Sequence, residues 1–127
     1  MTVAEWCVFA TVMLYLLTIV PVKWIGFRRY DNSKPRDPAF YDDPLRARAL
    51  GAHQNGIEAF PFFAVAVIVA HVLGGPSALV NWLAVAFILV RIFYTGMYLT
   101  DRQPLRSASF FVGLILSIAI FLTPLFH

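Results

Sequence analysis

Residues 48–73 read RALGAHQNGIEAFPFFAVAVIVAHVL, a single stretch that is polar at one end and apolar at the other. From Phe62 to Ala70 nothing polar interrupts it, whereas its first half carries Arg48, Asn55 and Glu58. A charge in hydrocarbon costs roughly 3 kcal/mol or more, so a carboxylate at this depth faces a protein interior and often marks a site. At about 100° per residue, Arg48, Asn55 and Glu58 fall within about 80° of arc, with Gly51 in the same stripe. The stretch therefore reads as a membrane helix with one polar face near its start.

Working outward, this is one of four long apolar runs, each able to cross about 30 Å of hydrocarbon at about 1.5 Å per residue. The expected helices cover about 3–25, 44–73, 77–100 and 104–125, in one domain over residues 1–127. Asp43-Pro44 reads as an N-cap followed by a proline in the first turn. Pro61 removes one backbone hydrogen bond inside the second helix, freeing the Ile57 carbonyl and predicting a bend. Gly74-Gly75-Pro76 and Asp101-Arg102-Gln103-Pro104 supply the other two turns. The fold class is an all-α integral membrane bundle of four transmembrane helices.

Composition agrees. The 127 residues are 60% hydrophobic and 13% charged, which excludes disorder and leaves too little polar surface for a soluble domain. A single cysteine, Cys7, excludes an intrachain disulfide and a cysteine metal site. His53, His71 and His127 are too scattered to hold a metal. His71 and His127 belong near the outer face, whereas His53 projects about 140° from Arg48, toward a neighbouring helix or solvent. Asn81 reads as an outer helix-end residue.

The cations orient the chain. Of ten Lys and Arg, seven lie in the first loop and its borders: Lys23, Arg28, Arg29, Lys34, Arg36, Arg46 and Arg48. Arg102 and Arg106 lie in the third loop, and Arg91 lies inside an apolar run. The positive-inside bias accounts for the net charge of +3, so nucleic acid is not implied. It places both termini and the second loop outside, and the first and third loops in the cytosol. Trp6 and Trp82 then mark the outer interface and Trp24 the inner one. The first run has Glu5 instead of a basic start and lacks a small-residue cleavage site, so it reads as a retained span in a multi-pass protein surrounded by membrane lipids. A compact chain with no tail after the fourth run fits a bacterial inner membrane.

Glu58 and Arg91 each lie ten residues, or roughly 15 Å, from the cytosolic ends of antiparallel helices, at a level where they would neutralise one another. On the third helix Arg91, Tyr94, Tyr98 and Arg102 share an arc of about 80°. Arg106 and Ser107 stand in the first turn of the fourth helix, where free N–H groups and the helix dipole favour an anion. The expected site is a cytosol-facing anion cleft that an apolar substrate enters sideways from the bilayer. The plainer reading is a Glu58–Arg91 ion pair that only holds helices together.

These residues carry a resemblance. Ala52-His53-Gln54-Asn55-Gly56-Ile57-Glu58-Ala59-Phe60-Pro61-Phe62 resembles the second-helix signature of the MAPEG superfamily, the membrane-associated proteins of eicosanoid and glutathione metabolism. That signature has an R-A-x-x-N-x-x-E core followed by an aromatic and Pro. Val90 to Leu99 is similar to the family's R-x-x-[YH]-x-x-x-Y segment, and Arg106-Ser107 matches its position for an arginine facing the glutathione thiol. The resemblance extends over all four spans. It implies homotrimers with glutathione as cosubstrate, without metal, held between adjacent subunits at the cytosolic side. By position, Glu58 would pair with the glutathione amine and Asn55 with its backbone, while Arg91, Tyr94 and Tyr98 line the site. Arg106 would stabilise the thiolate, with Ser107 beside it, and Arg28 and Arg29 resemble a pair that holds a carboxylate. Arg48 and Arg102 complete the cationic set.

There are two departures from the pattern. Gly51 stands where the signature opens with arginine, and Phe110 stands where some members have a tyrosine near the thiol. A lost charge-assisted contact costs roughly 1.5–3 kcal/mol of binding, for which Arg46 and Arg48 are the candidates to compensate. The resemblance implies a glutathione-dependent transferase or peroxidase acting on a lipophilic electrophile. Gly51 favours the alternative of a non-catalytic membrane scaffold or accessory subunit. A transporter or channel fits less well, because no polar residue continues the path beyond Phe62.

Overall fold

A computed structural model describes residues 1–126, and His127, expected near the outer face, lies outside the described residues. Among the described residues four long helices form: α1 over Val3–Ile25, α2 over Pro44–Gly74, α3 over Ala78–Leu99 and α4 over Gln103–Leu122. All four are long and apolar enough to cross a membrane. The last stops short of the expected 125, because the chain tightens into a 3-10 turn over Thr123–Phe126.

The helix ends follow their local chemistry. Thr2 and Glu5 form a reciprocal capping box at the start of α1. The Asp43 carboxylate accepts from the N–H groups of Leu45 and Arg46, and Pro44 occupies the first turn of α2. That helix then continues through Pro61 without interruption to Gly74. Gly75, at φ 73°, makes the reversal into α3.

α2 and α3 pack together as a central pair. α1 and α4 lie on opposite flanks of this pair, each touching both central helices and scarcely touching one another. One end of the bundle is tied by polar contacts near the N-terminus. Asn81 Oδ1 accepts from the Ala4 N–H at 3.0 Å, and His71 Nδ1 stands 3.1 Å from Glu5 Oε1. At the other end, Arg48 Nη1 approaches Asp101 Oδ2 at 4.0 Å, joining the start of α2 to the α3–α4 turn.

The interior divides along the bundle axis. The half nearer the termini is apolar and rich in small residues: Ala66, Ala70, Val80 and Ala84 are buried there, and Phe63 stacks on Phe87 at 3.9 Å. Small side chains let membrane helices approach closely where no hydrophobic force draws them together. Large apolar side chains such as Leu17, Ile68, Leu89 and Ile115 point outward, as a lipid-facing surface requires. Trp6 and Trp82 are exposed toward one end and Trp24 toward the other. The half nearer the loops holds the buried polar residues.

Candidate functional site

Arg91 organises that polar half. It is 1% exposed, the largest fully buried side chain among the described residues. Its Nη2 donates to Asn55 Oδ1 at 2.9 Å, and its Nε has no hydrogen-bond partner among the described residues. The guanidinium lies between two aromatic faces, 4.1 Å from the Tyr94 ring centroid and 5.7 Å from that of Tyr15. Aromatic quadrupoles stabilise a desolvated cation by about 2 kcal/mol, less than the several kcal/mol that burying it costs.

From Arg91 a stacked series runs toward the loop end. Tyr94 meets Tyr98 edge to face at 5.8 Å, and Arg106 Cζ lies 4.6 Å from the Tyr98 centroid. Arg106 is half-buried in the first turns of α4, whose N-cap, Arg102, supplies no side-chain hydrogen bond. The first turn of α4 therefore has no side-chain cap, Pro104 brings no N–H to it, and Ser107 beside Arg106 is exposed. The series links a helix N-terminus at the mouth to a buried guanidinium about two turns inside the end of α3.

Two expectations are corrected. The Glu58–Arg91 ion pair does not form: Arg91 takes Asn55 as its partner, and Glu58 lies exposed on the flank of α2. Glu58 stands about 60° further round the helix than Asn55, past the edge that α3 covers. A neutral amide oxygen is also cheaper to desolvate than a carboxylate. Second, Arg102 is not a further step of the α3 stripe. α3 ends at Leu99 and Asp101 turns the chain at φ 58°, so Arg102 opens α4, exposed. Arg28 and Arg29, expected at a site shared between subunits, stand apart from the cluster within one protomer. They are exposed in a 3-10 turn after α1, on the flank opposite α4, and line a separate hollow with Arg46.

Tyr15 is the residue that the sequence reading passed over. Its ring sits against Gly56, where an added Cβ would come within 2.6 Å of Tyr15 Cε1. Its hydroxyl is buried with no hydrogen-bond partner among the described residues, and its backbone carbonyl accepts from His53 Nδ1 at 2.9 Å. His53 thus meets a neighbouring helix. A signal existed, since Thr11, Tyr15 and Thr18 recur at helical spacing inside an otherwise apolar run and all three are buried.

The departures at Gly51 and Phe110 also find their places. Tyr98 lies over Gly51, where a Cβ would stand 2.7 Å from Tyr98 Cζ and closer to its hydroxyl. Phe110 lines a cavity of about 30 Å³ beside Arg91, between α2, α3 and α4. Phe62 and Ser117 connect this cavity to an apolar groove of about 430 Å³ between α2 and α4, which Pro61, Val65, Ile118 and Phe121 complete. A lipid-side approach therefore ends close to the buried guanidinium. Among the described residues no group of His, Cys, Asp or Glu is placed to hold a metal ion.

Four membrane-length helices around a buried guanidinium, with Arg106 in the first turns of α4, define an integral membrane protein with a cationic interior. The sequence pattern of the MAPEG family matches residues 3–126, and the chain belongs to that family. Direct comparison with curated proteins gives no match.

Proposed function

We propose that this protein is a glutathione-dependent membrane transferase or peroxidase that acts on hydrophobic electrophiles. The observation that carries the reading is Arg91, a guanidinium buried at mid-bundle with an amide in place of a carboxylate as its polar partner. Such a cation is stabilised when an anionic ligand completes it. Family membership supports glutathione as that ligand, since the MAPEG family includes glutathione-dependent membrane enzymes.

The residues fit the group chemically. Glutathione has two carboxylates and an ammonium, and when bound it supplies the nucleophilic sulfur. Arg91 and Arg106 offer guanidinium donors at two depths, and the unpartnered Arg91 Nε has capacity for a further acceptor. Glu58 is the one carboxylate on the adjoining face of α2 and suits the ammonium. Asn55 holds Arg91 in place, Tyr94 and Tyr15 cover its faces, and Tyr98 packs edge to face on Tyr94. Arg106 and the α4 N-terminus place positive potential where a thiol would lose its proton, favouring the thiolate at neutral pH. The groove between α2 and α4 admits the apolar body of the second substrate from the bilayer.

The same reading includes a homotrimer, with the loop end and the site facing the cytosol. An exposed Glu58 on a membrane-spanning helix is costly against lipid and needs protein or water beside it, which a neighbouring copy supplies. Arg28 and Arg29 reach a shared site only from such a copy.

Titration of the purified protein with glutathione, read by thiolate ultraviolet absorbance, tests binding and activation together. A saturable signal that Arg106→Ala abolishes is expected; no signal in the native protein would sink the proposal. Tyr98 over Gly51 favours the second reading, a non-catalytic scaffold, because the phenol fills the space the family arginine would use. Co-purification with a larger membrane complex, without thermal stabilisation by glutathione, would select it.

A further inference from the structure

Among the described residues, the buried threonines and serines satisfy themselves locally, with one exception. Thr11, Thr18, Thr95, Ser109 and Thr123 each donate to a backbone carbonyl one turn back in the chain. Ser117 is 4% exposed, and its hydroxyl forms no hydrogen bond among the described residues. We propose that Ser117 is a specificity-determining residue, whose hydroxyl receives a remote hydroxyl group of a long, apolar second substrate.

Ser117 stands where two spaces meet. It lines the apolar groove of about 430 Å³ between α2 and α4, and also the cavity of about 30 Å³ beside Arg91. Pro61, Phe62, Val65, Ala66, Ile118 and Phe121 complete the groove and carry no polar side-chain atom. An unpaired hydroxyl in such a wall forfeits its hydration, and a ligand oxygen restores what is lost. The small cavity has room for one oxygen-sized group. Close helix packing calls only for a small side chain, which alanine would supply. Packing therefore does not account for a hydroxyl that leaves the carbonyls of its own helix unused.

Position sets the class of substrate. The inference rests on the glutathione reading above, in which Arg106 holds the thiolate and glutathione completes Arg91. Ser117 lies eleven residues beyond Arg106, about 16 Å along α4, so the oxygen it binds is not at the reacting carbon. A second anion beside the glutathione carboxylates would be repelled, so that oxygen is neutral. A serine hydroxyl both donates and accepts, which makes another hydroxyl its match. The substrate is then an elongated lipophilic electrophile with a hydroxyl far from its reactive end, anchored by binding that is remote from the chemistry.

The test uses the whole protein in nanodiscs. Without glutathione, tritiated 1-dodecanol, corrected for uptake by empty nanodiscs, is expected to bind roughly 3- to 10-fold more tightly than tritiated dodecane. Ser117→Ala should bring the two to parity with an unchanged melting temperature, and Ser117→Thr should keep the difference. Ser117→Cys, a weak donor of similar size, serves if the alanine variant does not fold. With glutathione, the sulfur adds to the β-carbon of an enal and the α-carbon takes up the proton. In that reaction (E)-12-hydroxydodec-2-enal should show a lower KM than (E)-dodec-2-enal at equal kcat, and Ser117→Ala should remove the difference. Equal binding of dodecanol and dodecane by the native protein overturns the proposal, as does a preference that survives in Ser117→Ala. Equal KM values for the two enals overturn it too, since the contact would then lie outside the reaction. If neither enal is conjugated while the dodecanol preference holds and depends on Ser117, the hydroxyl subsite stands and the transferase reading fails.

Discussion

Tyr98 rests on Gly51, its phenol filling the place where any other residue at position 51 would put a Cβ. Two features of the chain meet there: a glycine where the second-helix signature has arginine, and a tyrosine in the series that connects Arg106 to Arg91. The contact fixes the α2–α3 spacing at the loop end. It also couples any change at position 51 to the ring that stacks under Arg106.

Gly51→Ala is therefore expected to destabilise the protein by about 1–3 kcal/mol through overpacking. Tyr98→Ala should remove most of that penalty, so the two substitutions together will cost less than the sum of each alone. Thermal unfolding of the four proteins in one detergent measures the coupling. Simple additivity would mean that the phenol does not sit where the structure places it.

Asn55→Ala leaves the buried Arg91 with no polar partner. A loss of about 1.5–3 kcal/mol is expected, the range for a hydrogen bond to a charged group. Arg91→Met removes the charge together with its desolvation cost and should lose less stability than Asn55→Ala. Glutathione titration separates the two effects, since Arg91→Met is expected to abolish binding while remaining folded.

Arg106→Ala should lower thiol-transfer activity about 100-fold, the usual loss when one preorganised donor to a developing anion is removed. Because Arg106 stacks on exposed-side ring surface and forms no ion pair among the described residues, its melting temperature should change little. A stopped-flow assay at fixed thiol concentration reads the first effect and a melting curve the second. Equal activity in the variant would remove Arg106 from the mechanism.

At the opposite end, Asn81→Ala deprives the Ala4 N–H of its acceptor and loosens the start of α1. About 1 kcal/mol is expected, as for the loss of a helix cap. Asn81→Asp keeps the acceptor and should recover it. Hydrogen exchange over residues 3–7 gives a local readout; unchanged exchange in Asn81→Ala would contradict the assignment.

Much of this was legible before any coordinates. The Asp43-Pro44 start, the Gly75 reversal and the membrane-length runs are local properties, fixed by hydrogen bonding, backbone freedom and hydropathy within a few residues. The stripe of Asn55, Arg91, Tyr94 and Tyr98 followed from helical periodicity, and these residues do come together. Periodicity failed where it was asked about depth and edge. It put Glu58 in the same arc as Asn55, but an arc of about 80° is wide enough to straddle the line between a covered face and an open one.

The amino-acid sequence by itself determined four spans, where they start, the MAPEG pattern and which faces are polar, because each of these is decided by neighbours in the chain. Only the tertiary structure decided that Asn55 and not Glu58 satisfies Arg91, that Tyr15 closes the far side, and that Arg28, Arg29 and Arg46 form a hollow of their own. Those outcomes depend on how closely and at what rotation the helices pack. Contacts such as Tyr15 on Gly56 and Tyr98 on Gly51 set both, through steric exclusion between residues far apart in sequence.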